Sequence, residues 1–418
     1  MWRVILTSRA LSILFVHAAV PLTNFLVVAL LARGLSDSDL DHFLYLYNLA
    51  LLMSAISDFG LRNTTYAEVA RHRWQTDVIG ILLGRTYTAK GVLSLCVVVT
   101  FSALALGQQS ANLPLFLMFA LVAVTLYPSD PAVGALRGLE ASQYELPLTV
   151  LEKLLVFTGL YALLKAGRMT ELLAATVLWV PAAARAILGF TVVRREAREA
   201  IKPASIRSAF ILVRQRTGSG IGLFIYVLYL RLPVLLAPYV GLASDVSGVT
   251  IALMIAQVVL SVPSILIHLM VPTIFKMAKD SGAARLRRTV VPVLVGCFGV
   301  GLLLGAAFFW QGDFLFRLVV GADVENATIL AGIVAAAPFI AVNQAVRLLL
   351  VADRKDWSAV GGVTCGLVLQ FCALSFGAAF DGIEGFVAGY LLAEGLLSVA
   401  GWGVLWWRLD AKRGSAYR

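Results

Sequence analysis

Charge is what this chain has least of. Lysine, arginine, aspartate and glutamate make up only 14% of its 418 residues, against 60% for hydrophobic types, and its mean hydropathy is +0.87. A soluble domain carries roughly 25% charged residues, so water is excluded as the main solvent. Cysteine is scarce too. Cys96, Cys297, Cys365 and Cys372 all fall inside apolar runs without CxxC or Cys/His spacing, which excludes a disulfide framework or a zinc site and leaves them as small core hydrophobes. No Walker A sequence or other soluble-cofactor motif occurs, so direct ATP coupling has no support. Long polar loops are also missing. The longest expected outside loop, near 311–327, is too short to fold as a catalytic domain.

What is present is a succession of apolar runs, each long enough to cross a hydrocarbon core about 30 Å thick. Reading them against polar breaks predicts about twelve transmembrane helices, near 10–32, 40–57, 86–106, 114–129, 147–165, 171–191, 218–240, 249–272, 289–310, 328–350, 357–379 and 385–406. Arg3 and Arg9 precede a first stretch of full spanning length without a small-residue cleavage site, so it reads as a retained helix rather than a signal peptide. The formal charge of +10 would suggest nucleic acid in a soluble protein, but the cations sit in alternate loops. Of the loop cations only Arg33, Lys165, Arg168 and Arg317 fall on the opposite side, which places both termini in the cytoplasm.

The longest basic inside segment, about Arg194 to Arg216, divides the expected helices into two sets of six. The expected organisation is an N-terminal six-helix lobe at 1–193, a basic cytoplasmic linker at 194–217 and a C-terminal six-helix lobe at 218–418. Gly34-Leu35-Ser36-Asp37 after helix 1 has a counterpart in Gly241-Leu242-Ala243-Ser244-Asp245 after helix 7, a faint repeat of the kind two-lobed transporters carry. The pairs Gly218/Gly222, Gly301/Gly305 and Gly362/Gly366 read as close helix packing.

Ionisable groups inside the hydrocarbon carry the functional information, since each costs roughly 2.5–3.5 kcal/mol unless a wet cavity or a partner receives it. Arg231 lies too deep in helix 7 for snorkelling. With Tyr226, Tyr229 and Pro233 it offers an anion-binding guanidinium, aromatic surface for sugar rings and a helix break; a buried ion pair is the alternative. Glu394, mid-helix in helix 12, is a proton or cation site or the neutraliser of an arginine elsewhere. Arg185 and Arg347 are secondary binding candidates that snorkelling would also explain. Asp58 and Arg62, spaced i, i+4 at the end of helix 2, suit a gating latch. His17 and Asn24 in helix 1 share a face and, with Asn48 in helix 2, suggest a polar lining or interhelical hydrogen bonds. Asp37 and Asp39 form a D-x-D that could hold metal in a membrane glycosyltransferase, but Ser36 as N-cap with acids in the first turn accounts for the same letters.

Ile56-Ser57-Asp58-Phe59-Gly60-Leu61-Arg62, running on to Glu68-Val69-Ala70-Arg71, resembles the D-F-G-L segment and basic E-x-A-R end of Wzx-type polysaccharide-export flippases, as do Ala135-Leu136-Arg137-Gly138-Leu139-Glu140 and Leu228-Tyr229-Leu230-Arg231. The resemblance covers nearly the whole chain and extends to the superfamily of multidrug and toxic-compound extruders. It departs at Pro233, where the family commonly has an acid, so an ion pair from that acid to Arg231 is not expected. The resemblance implies two six-helix bundles around a cavity open alternately inward and outward, in the bacterial inner membrane, with undecaprenyl-pyrophosphate-linked sugar units as cargo. Arg231 would hold the pyrophosphate. Expected partners are the lipid-linked oligosaccharide, membrane lipids and the polysaccharide polymerase machinery, with no nucleic acid; no cofactor is expected, and coupling to Na+ or H+ is open. The same fold could instead run a cation-coupled multidrug antiport through Glu394 or Asp58.

Overall fold

A run of apolar residues in lipid can satisfy its backbone only by bonding to itself, so each span is expected to be helical. The computed structural model describes residues 8–72, 75–107, 112–126, 130–197, 201, 204–261, 283–311, 314, 327–352 and 356–415, and no strand occurs among them. His17 and Arg347 lie on described helices, but their side chains fall outside the described residues. Among the described residues seven helical stretches are long and apolar enough to cross a membrane, and four shorter apolar stretches accompany them. The protein is an all-α multi-pass membrane protein, as the composition implies.

Two compact units emerge, Met1–Arg231 and Leu232–Arg418. In the first, the helices are α1 (Ser8–Ala32), α2 (Asp37–Asp58), α3 (Leu61–Arg71), α4 (Thr76–Gly107), α5 (Leu113–Thr125), α6 (Pro131–Gly138), α7 (Glu145–Lys165), α8 (Glu171–Ala197), α9 (Ile206–Gln215) and α10 (Thr217–Leu236), the last continuing past the boundary. Caps set several of these limits. Ser36 accepts the Asp39 N–H at the start of α2, so Asp37 and Asp39 occupy a capped first turn where the helix dipole favours acids. Asp130 caps α6 through the Ala132 N–H, with Pro131 at the first helical position.

The core of this unit is aromatic: Phe43 of α2 meets Phe119 of α5 edge-on at 5.1 Å, and Phe101 of α4 meets Phe116 at 6.5 Å. The outer faces are apolar as well. Leu95 is 64% exposed and Leu106 74% exposed on α4, and Ile187 of α8 is 64% exposed. A surface of this kind is stable against lipid tails and would aggregate in water.

Helix α4 begins ten residues before the expected span, at Thr76, because the mainly apolar stretch Val78–Gly84 continues it on the N-terminal side of Arg85. Between α2 and α3 the chain turns through Phe59 (φ 44) and Gly60 (φ 76). The segment expected to link the lobes contains α9, capped by Ser205. This helix lays Ala209, Leu212 and Val213 on Leu61, Ala89 and Leu93. Short helices cross at small residues: a methyl on Gly134 of α6 would overlap the Arg62 carbonyl of α3, and one on Gly220 of α10 would overlap the Phe59 ring.

The second unit holds a helix at 246–261, which covers the described part of the expected 249–272 span, then α12 (Ala283–Trp310), α13 (Ala327–Ala335), α14 (Ala337–Ala352) and α15 (Asp356–Ser415); the helix at 246–261 is α11. The expected span at 328–350 is thus two helices meeting at Ala336. Helix α15 is broken at Asp381 (φ −147, ψ 31) and Gly382 (φ 55, ψ −128), a left-handed position suited to glycine. Its arms fold back on each other, with Gly377 facing the Gly385 carbonyl and Gly389 the Ala373 carbonyl. These arms are the two spans expected at 357–379 and 385–406. Gly301 and Gly305 pack α12 onto Pro338 and the Val334 carbonyl, whereas Gly362 meets nothing within 4 Å, so the packing role expected of all three glycine pairs does not extend to Gly362.

Candidate functional site

Among the described residues, three polar constellations bear on the candidate residues. The first surrounds Arg231. Asn48 is fully buried in α2 and donates its Nδ2 to the Leu44 carbonyl at 2.8 Å. That bond turns Oδ1 outward, and Arg231 Nη1 donates to it at 3.3 Å. Arg231 Nε is buried and makes no hydrogen bond, and among the described residues no carboxylate pairs with this guanidinium. Tyr47 and Tyr226 are its near titratable neighbours, and Tyr229 is buried two residues before it. Pro233 lies inside the same helix, withdrawing one backbone donor at this level. An arginine normally recruits acids when taken out of water. Here, among the described residues, an amide oxygen and phenols stand near it instead.

The second constellation is a buried charge network in the same unit. Arg185 of α8 donates Nε to Glu152 Oε2 at 2.5 Å, Nη1 to Asp130 Oδ2 at 2.5 Å and Nη2 to the Thr125 carbonyl at 2.8 Å. Lys153 bridges Glu152 Oε1 at 3.1 Å and Asn24 Oδ1 of α1 at 3.4 Å. One guanidinium therefore ties α5, the α6 cap, α7 and α8 together. Arg185 is 4% exposed, so it does not snorkel to headgroups, and its three bonded nitrogens already have protein acceptors. Nearby, Lys90 Nζ donates to Ser57 Oγ at 2.5 Å, and Ser57 contacts Ser94. Asp58 accepts the Arg62 backbone N–H at 2.9 Å. The i, i+4 pair thus spans a break between two helices, with Asp58 capping α3, rather than lying along one helix.

The third constellation belongs to the second unit. Glu394, buried in the second arm of α15, accepts from Asn343 Nδ2 of α14 at 2.8 Å and from Gln370 Nε2 of the first arm at 3.4 Å. Ser398, one turn on, bonds the Phe339 carbonyl at 2.9 Å and lies 3.1 Å from Asn343 Oδ1. Both amide donors are neutral, and Gln370 Oε1 is buried without a partner. A carboxylate in this setting can take up a proton, or share a small cation with the amide oxygen.

Asp130, Glu152, Lys153, Lys90, Asn343 and Gln370 were not singled out from the sequence. The charged ones had a usable signal, since each interrupts or borders an apolar run. The amides had none, because a lone buried amide is usually helix-packing glue.

Helical hairpins with intramembrane charges define a class, the polytopic membrane transporters. Solved structures identify the fold. The fold matches an inward-facing multidrug resistance MATE-family transporter of the MOP superfamily with a TM-score of 0.76 at 13% identity, covering 96% of this chain and 99% of that one. It also matches a mutant of the Vibrio cholerae MATE transporter VcmN (TM-score 0.67, 17% identity, 96% and 95% covered). A third match is a MOP-superfamily transporter from Pyrococcus furiosus, whose description notes a binding pocket of reversed polarity (TM-score 0.63, 11% identity, 96% and 95% covered). At these identities the likeness establishes the fold. The model of the polysaccharide biosynthesis protein family matches residues 6–278, and the chain belongs to that family, the grouping of the Wzx-type flippases. Among curated protein sequences nothing matches.

Proposed function

We propose that this membrane transporter flips undecaprenyl-pyrophosphate-linked oligosaccharide units from the cytoplasmic to the periplasmic leaflet of a bacterial inner membrane, and that Arg231 holds the pyrophosphate. The observation that carries the proposal is the Arg231 guanidinium, deep in a helix, with a buried unpartnered Nε and, among the described residues, a single amide oxygen at 3.3 Å. A guanidinium stays charged at any physiological pH and can give two parallel hydrogen bonds to phosphate oxygens. The partly exposed Tyr226 beside it supplies a face on which a sugar ring can rest. The family's role in polysaccharide biosynthesis supports a cargo of this chemistry. Both termini lie in the cytoplasm, and the surface polysaccharide polymerase consumes the exported unit.

Complementation of a flippase-deficient strain tests the proposal. Arg231→Ala at normal membrane abundance is expected to abolish polymer, and Arg231→Lys to restore a part of it; wild-type polymer from Arg231→Ala would reject the assignment. The alternative of a cation-coupled drug antiporter draws its support from Glu394, a buried carboxylate between neutral amides. In the flippase that same carboxylate serves as the coupling site for Na+ or H+.

A further inference from the structure

The end of the first unit that carries α3 and α9 holds a crevice that the transport chemistry does not use. It has a volume of about 310 Å3 and is lined by side chains of α3, α4 and α9, among them Glu68, Arg85, Thr86, Ser208, Gln215 and Arg216. This is the lower end of the roughly 300–1,000 Å3 range of small-ligand sites. Glu68 accepts from Arg216 Nη2 at 3.0 Å and from Arg71 Nη1 at 3.3 Å. One carboxylate therefore serves two arginines, while Arg85 lines the same crevice, is exposed, and makes no ion pair among the described residues. Arg216 Nε is buried and unbonded. The crevice is short of negative charge and rich in N–H and O–H donors, the chemistry of a phosphate site.

Its outer wall says where the phosphate comes from. Helix α9 buries Ala209 and leaves Ile206 71% exposed and Phe210 68% exposed, one turn apart; the exposed Arg207 and Arg214 flank that edge. An apolar edge beside arginines is the pattern of a helix lying in the membrane interface, with its apolar edge among acyl chains and its cations at headgroup level. A phosphate bound in the adjoining crevice would then lie where lipid headgroups lie.

We propose that this crevice is a binding site for an anionic glycerophospholipid, its phosphate held by Arg85 and Arg216 and its acyl chains passing over Ile206 and Phe210. The site is separate from Arg231 and does not depend on what the transporter carries. It also gives a use to the E-x-A-R segment Glu68–Arg71, which holds Arg216 in place through Glu68.

Full-length protein purified in detergent tests this by native mass spectrometry and thermal unfolding against added phosphatidylglycerol, phosphatidylcholine and inorganic phosphate. Phosphatidylglycerol is expected to bind and stabilise in preference to the other two. Each interfacial cation contributes about fivefold in affinity for anionic lipid, so Arg85→Gln should weaken phosphatidylglycerol binding about fivefold and the Arg85→Gln/Arg216→Gln pair roughly thirtyfold. Arg168→Gln should leave it unchanged. Arg85→Gln disturbs no ion pair among the described residues, so it keeps the test valid if the double variant fails to fold. Equal binding of phosphatidylcholine, equal binding of inorganic phosphate, or full retention by Arg85→Gln would overturn the proposal.

Discussion

Arg185 and Asp130 face each other at 2.5 Å in the interior of the first unit, joining the middle of α8 to the cap of α6. The same guanidinium takes Glu152 from α7. Removing one member leaves buried charges without compensation, which costs roughly 3–5 kcal/mol. Arg185→Ala is expected to lose that stability, read as a large fall in the unfolding midpoint of the protein in detergent. Asp130→Asn should destabilise as well, because one amide oxygen cannot accept both the Ala132 N–H and Arg185 Nη1, and its NH2 would face the other donor.

Close approach gives a second expectation. At Gly134 a methyl would overlap the Arg62 carbonyl, and at Gly220 it would overlap the Phe59 ring, whereas Gly362 has open space within 4 Å. Gly134→Ala and Gly220→Ala should each destabilise by about 1–3 kcal/mol through overpacking. Gly362→Ala should be neutral or better, since alanine is the stronger helix former by roughly 1 kcal/mol. Thermal unfolding of the three variants side by side separates the cases.

Glu394→Gln keeps the shape of the side chain and removes its charge. If this carboxylate couples transport to an ion gradient, the variant should fold, insert and lose the dependence of polymer output on external sodium or pH. An unchanged dependence would assign Glu394 to structure alone.

The first turn of α2 supplies a control. Asp37 and Asp39 sit behind the Ser36 cap, so Asp37→Asn/Asp39→Asn should leave export intact, against the metal-holding D-x-D of a glycosyltransferase. Ser36→Ala should cost about 1 kcal/mol through loss of the cap.

Much of the fold could be read from the chain, and the residues explain why. Lipid exposure keeps α4 and α8 apolar on the outside as well as the inside, so hydropathy alone locates them. It fails at the helix limits: Val78–Leu83 is apolar and helical but lies before Arg85 and outside the expected span, and the amphipathic α9 lies within a stretch that composition presents as a linker. The break at Ala336 and the αL turn at Phe59 depend on packing that no window can see. For the candidate site, Arg231 and Glu394 stood out because a charge in hydrocarbon is rare and costly. Asn343 and Gln370, which bond Glu394, were legible only in space; Asn48 was a candidate in the sequence, but its bond to Arg231, 183 positions away, was not. The partners of Arg185 were hidden for the same reason, since Asp130 and Glu152 come from two other helices.

Binding of undecaprenyl pyrophosphate, without sugars, to the purified protein is the most direct test of the role given to Arg231. Truncating one partner of a buried, hydrogen-bonded charge pair costs at least about 2 kcal/mol, so Arg231→Ala should bind this lipid about thirtyfold more weakly than the wild type, with Arg231→Lys between them. Equal affinity of the wild type and a properly folded Arg231→Ala protein would contradict the account.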